Sequence, residues 1–94
     1  MQIFELTLDI TGRQKVMLPA GAKLLNMSAQ PAPNGSWVAK LWALADEKAP
    51  AEPRFISIYQ AGDPMPDLTG EYITTFTVYE GLRTLHAFDV TAYG

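Results

Sequence analysis

The sequence contains no cysteine. Disulfides, thiolate metal sites, iron–sulfur clusters and cysteine nucleophiles are thereby excluded. A small secreted domain is commonly stapled, so the lack of staples points to the cytoplasm. Histidine occurs once, as His86. A histidine-based metal site would need carboxylates at ligand spacing, and none lies near it in sequence, so neither metal nor cofactor is expected. No apolar run approaches the ~20 residues of a membrane-spanning helix. The opening Met1-Gln2-Ile3-Phe4-Glu5 carries an acid where a signal peptide has lysine or arginine, so export by that route is not expected. Positive charge is scarce, with Lys+Arg 7 against Asp+Glu 10 and a net charge of −3. That argues against direct nucleic-acid binding, which neutralises several phosphates with a basic patch. The acids are scattered singly, so a DNA-mimicking surface is not supported either.

What is present is a chain of 94 residues, 48% apolar, enough for one β domain over residues 1–94 and too short for two independent cores. Runs of Val, Ile, Phe, Tyr, Thr and Trp alternate with clusters of Gly, Pro, Asn and Asp, the pattern of strands separated by turns. Residues 1–9 alternate with period two, Phe4, Leu6 and Leu8 against Ile3, Glu5, Thr7 and Asp9. Extended segments are predicted over 15–18, 23–29, 37–46, 54–60, 71–80 and 82–90. In 54–60, Phe55 and Tyr59 fall on one side and Ile56 and Ile58 on the other. Asn34-Gly35 and Glu80-Gly81 mark turns, and residues 47–53 read as a surface loop. Residues 37–46 are apolar on both faces, which suggests a central strand; Ala39, Leu41, Ala43, Leu44 and Ala45 leave a short helix as the alternative. The expected fold is all-β and mainly antiparallel, a small β-sandwich or partly open barrel of about six or seven short strands with little or no helix.

Few residues carry chemistry. His86 shares an alternating face with Leu82 and Phe88, the setting of a packed or half-exposed histidine held by a hydrogen bond. Asp63, before Pro64, reads as a turn residue bonding its own backbone. The loop 62–70 lacks a Gly-Lys-Ser/Thr ending and a following helix, so it is not a phosphate loop, though it is a sensible binding rim. Arg13, Arg54 and Arg83 are the planar cations, and one of them beside Tyr59, Trp37 or Trp42 would cradle a phosphate carrying a stacked base. Trp42 reads as core and Trp37 as a surface residue.

Taken in order, Leu18-Pro19-Ala20-Gly21-Ala22-Lys23-Leu24-Leu25, Leu41-Trp42-Ala43-Leu44-Ala45-Asp46, Arg54-Phe55-Ile56-Ser57-Ile58-Tyr59, Gly62 with Pro64, Tyr72-Ile73-Thr74-Thr75 and Leu85-His86-Ala87-Phe88 resemble a family of small phage- and prophage-encoded proteins of unknown function, the DUF7352-like domain. The resemblance covers nearly the whole chain. Its members tend to carry Gly-Thr where this chain has Gln60-Ala61, and Ile-Gly-Thr where it has Ile73-Thr74-Thr75. It implies a phage setting and action in the host cytoplasm. With no catalytic constellation in view, the expectation is a non-enzymatic binding protein, a homo-oligomer, that counters a bacterial defence. It would do so by sequestering a nucleotide-like signal or by binding a defence protein. Arg54, Tyr59, Trp42, Gly62, Asp63 and His86 are the candidate contacts. The alternatives are a minor structural or assembly protein of the phage particle and, last, a hydrolase acting through Asp63, Asp67 and His86.

Overall fold

A computed structural model describes residues 1–65 and 70–93. The chain order is β1 (Gln2–Leu8), β2 (Gly12–Pro19), β3 (Lys23–Pro31), β4 (Trp37–Ala45), β5 (Ala51–Gln60), β6 (Glu71–Val78), β7 (Arg83–Asp89) and a closing 3₁₀ turn (Thr91–Tyr93). These strands form two antiparallel sheets, a three-stranded one ordered β1-β4-β3 and a four-stranded one ordered β2-β5-β7-β6, not closed into a barrel. The sheets face each other across one core.

Segment 37–46 is strand, not helix, and its burial follows period two. Ala39, Leu41, Ala43 and Ala45 are all within 1% of full burial, while Val38, Lys40, Trp42 and Leu44 between them are only half-buried. The small alanines leave room for larger neighbours in the same rows: Leu6 and Met27 flank Leu41, and Phe4 and Leu24 flank Ala43. The facing side of the four-stranded sheet supplies Val16, Leu18, Ile56, Ile58, Phe76, Val78, Leu85 and Ala87.

β5 begins at Ala51, inside the expected loop. Its first residues pair only with β2, because the β7 register reaches no further than Ile56. The Phe55 N–H points to that open side, to the Thr91 hydroxyl at 3.0 Å. Pro53, two residues earlier, therefore lacks its N–H on the side with no strand to receive it. Two further prolines or glycines shape the sheet ends. The β3–β4 hairpin closes through Ala32 N–H to the Ser36 carbonyl, with the Asn34 side chain accepting from the Ser36 N–H and Gly35 at φ +85°. β6 starts after Gly70, whose φ of +80° and position against the Asp89 carbonyl leave no space for a Cβ.

Candidate functional site

Strand parity in the four-stranded sheet puts polar and aromatic side chains on its outer face. Register places Arg13, Ser57, Phe88 and Tyr72 in one row, and Tyr59, His86 and Thr75 in the next. Phe88 is the centre. Its ring centroid lies 5.9 Å from that of Tyr59 and 5.8 Å from that of Tyr72, both edge-on. The Arg13 guanidinium sits 4.8 Å from the Phe55 ring centroid, a cation–π contact on the same face. His86 is half-buried, with Nδ1 2.9 Å from the Thr75 hydroxyl, which is itself 2.7 Å from the Tyr72 hydroxyl. The hydrogen-bonded, half-exposed setting expected of His86 is the one it occupies.

Residues 61–65, which follow β5, border this face. The Gln60 N–H donates to the Asp63 carboxylate at 2.8 Å and the Asp63 N–H to the Gln60 carbonyl at 2.9 Å, so Asp63 closes its own turn as its type predicts. Gly62 turns at φ +92°, which an L side chain adopts only with strain. Among the described residues, two hollows flank Tyr59. One of about 300 Å³ is lined by Tyr59, Gly62, Asp63, Met65, His86 and Phe88. The other, of about 430 Å³, is lined by Gly12, Arg13, Ser57, Tyr59, Asp63 and Pro64, among others.

Four of the six candidate contacts thus come together: Tyr59, Gly62, Asp63 and His86. The other two do not. Arg54 points to the inner side of β5, opposite Val16, where it donates to the Ala22 carbonyl and to the Asp89 carboxylate, each at 2.7 Å. Only 15% of its side chain and 11% of the Asp89 side chain are exposed, so this is a structural ion pair and not a free cradle. Trp42 stands on the outer face of the other sheet, half-buried between Glu5 and Asn26, not in the core. Trp37, expected at the surface, is half-buried with its ring edge-on to Tyr79 at 6.0 Å. Asp67, named in the hydrolase alternative, lies outside the described residues. Phe88, Tyr72 and Thr75 were missed as site residues. The alternation in β7 carried a signal for Phe88, since it shares the face of His86.

Burial raises the Asp89 carboxyl, but hydrogen bonds from Thr91 and Arg54 and the Arg54 charge outweigh it and hold the group below the usual aspartate value. Among the described residues no group of three or more His, Asp or Glu side chains is placed to hold a metal ion.

The fold and face together define a small antiparallel β-sandwich with an aromatic, arginine-flanked outer sheet. The chain belongs to the family described as a domain of unknown function, DUF7352, which matches residues 1–93. No curated protein and no solved structure matches it.

Proposed function

We infer that this chain is a non-enzymatic binding protein whose ligand lies on the outer face of the four-stranded sheet, across Tyr59. A small phosphorylated, nucleotide-like molecule suits that face best. The observation that carries this reading is the gathering of Tyr59, Phe88 and His86 on one side of the 60–63 turn and Arg13 on the other. Tyr59 offers a stacking surface for a flat ring. Among the described residues no carboxylate pairs with the Arg13 guanidinium, which leaves its donors for an anion. Asp63 uses one oxygen within its own turn; among the described residues nothing donates to the other, which suits it to accept from a hydroxyl or ring N–H. The hydrolase reading has less support: Asp63 accepts from Gln60 and His86 meets the Thr75 hydroxyl, and among the described residues no hydrogen bond joins Asp63 to His86.

The biological setting proposed with it is the one the family resemblance implies: a phage-encoded protein that withdraws a defence signal in the host cytoplasm. A protein partner on the same face is the second reading, supported by Tyr72 at 60% and Met65 at 43% exposure beside it.

Calorimetric titration with a panel of nucleoside mono- and diphosphates tests the ligand reading. Binding is expected, with a loss of about tenfold or more in Arg13→Ala, the scale of one charged hydrogen bond, and a similar loss in Tyr59→Ala from the missing stack. Binding that survives both substitutions contradicts the site. No binding across the panel, together with capture of a single stoichiometric host protein lost in Tyr72→Ala, replaces the ligand reading with the second one. For the setting, phage plating on a defence-carrying host should rise when the chain is expressed; unchanged plating contradicts it.

A further inference from the structure

The two sheets end in four strand edges, β1 and β3 in one, β2 and β6 in the other. An open edge is a row of free N–H and C=O groups, which proteins guard with bulges, prolines and charges. β3 carries a bulge between Leu24 and Asn26, β6 another between Tyr72 and Thr74, and these two edges lie against each other. β2 presents Arg13 and Lys15 exposed, so pairing with its own copy would bring like charges together. β1 is guarded least. Gln2–Leu8 runs in unbroken register against β4, without proline or basic residue, and Glu5 is its single charge. Its core-facing Phe4 and Leu6 remain half-buried, while Ala43 and Leu41 opposite them on β4 are 0% exposed. A strand laid alongside β1 would complete their burial.

We propose that two copies of this chain pair through β1, antiparallel about a two-fold axis, joining their three-stranded sheets into one continuous sheet. Directly opposed residues share a face, so the axis passes through a residue: Phe4, Glu5 or Leu6. An axis at Phe4 sets Gln2 against Leu6 on the core side. An axis at Glu5 sets two glutamates directly opposite, which is destabilising. An axis at Leu6 sets Leu6 against Leu6 and Phe4 against Leu8 of the second copy on the core side, with Glu5 opposite Thr7 of the second copy outside. Charge selects the last register. Lys40 already reaches over β1, with Nζ 2.6 Å from the Thr7 hydroxyl and 3.8 Å from the Glu5 carboxylate of its own chain. With Leu6 on the axis, Glu5 of the second copy stands just beyond Thr7, and Lys40 falls between two carboxylates of opposite sign to itself. The strand is therefore complementary to itself in both apolar alternation and charge, which identifies the occupant as a second copy. This interface is independent of the ligand reading, since β1 belongs to the other sheet, and it gives the expected homo-oligomer a defined contact.

Sedimentation velocity over a concentration series is expected to show a species of twice the 10.3 kDa chain mass. Glu5→Lys sets two lysines against Lys40 across the axis and should weaken association about tenfold. Combined with Lys40→Glu it should restore the dimer. The exposed Glu5–Lys40 pair adds little to the fold, so the circular dichroism and melting of both variants should stay close to those of the parent. Because the chain lacks cysteine, Leu6→Cys gives an independent readout. Directly opposed residues have Cα atoms about 4.5–5.5 Å apart, within the span of a disulfide, so mild oxidation should produce a disulfide-linked dimer from Leu6→Cys and none from Ile3→Cys. A monomer at every concentration overturns the proposal. So does a dimer indifferent to Glu5→Lys, or one crosslinked by Ile3→Cys and not by Leu6→Cys.

Discussion

Arg54 and Arg13 stand on neighbouring strands, and their opposite faces give them opposite roles. Arg54 shares the parity of Ile56 and Ile58 and ties β5 to Ala22 and to Asp89; Arg13 shares the outer row of Ser57 and Phe88. Period two along 54–60 already separated Arg54 from Tyr59 in the sequence, since five residues apart is an odd step. Only strand pairing could bring Arg13 from β2 to the Tyr59 side. Removing Arg54 leaves the Asp89 carboxylate part-buried without its cation, so Arg54→Ala should cost on the order of 3 kcal/mol, read as a fall in Tm of roughly 10–20 °C. The lowered Asp89 value sets a pH signature. A carboxyl held lower in the folded state adds stability that is complete above its unfolded value of about 3.9 and is lost as pH falls through the folded one. Chemical denaturation from pH 7 to pH 3 should show parent stability dropping in that acid window. Asp89→Asn should be weaker at pH 7 and flatter below pH 4, and an unchanged slope would contradict this role.

At the scale of the element, the β6–β7 hairpin was the most legible part of the chain and its ends the least. β-branched and aromatic residues mark β6 plainly, yet the strand stops at Val78 because Tyr79 and Glu80 take φ of 51° and 56° ahead of Gly81. Three successive left-handed residues form the turn, and only the last is glycine. The Tyr79 ring, edge-on to Trp37 and within 6.0 Å of the Arg83 guanidinium, helps hold that conformation. At the other end Gly70 passes so close to the Asp89 carbonyl that the chain has no alternative there. Gly70→Ala combines a disfavoured φ with a backbone overlap and should destabilise by about 2–3 kcal/mol, measured as a shift of the urea midpoint. The same substitution at Gly62, where a Cβ would meet open space, should cost only the φ strain, about 1 kcal/mol. Equal costs at the two glycines would contradict the overlap.

Across the whole molecule, strand number and all-β class followed from local patterning, while the division into sheets did not. β1 and β2 are adjacent in sequence yet belong to different sheets, as do β2 and β3. That choice depends on pairings 30 to 40 residues away, such as Leu6 with Leu41 and Val16 with Arg54, which no local signal encodes. For the same reason the sequence suggests a core position for Trp42: apolar residues on both faces of β4 fit a strand covered twice, but the three-stranded sheet is covered only on its inner side by described residues. Leu41, 0% exposed at the centre of the inner side, should lose about 2–5 kcal/mol on Leu41→Ala. The proposed ligand site on the outer face of the other sheet is tested most directly by amide chemical-shift mapping. Titration with the nucleoside phosphate panel should move resonances of residues 11–15, 57–65, 72–75 and 84–88 and leave β1, β3 and β4 still. Shifts centred on Trp42 or Arg54, or none with any member of the panel, would contradict it.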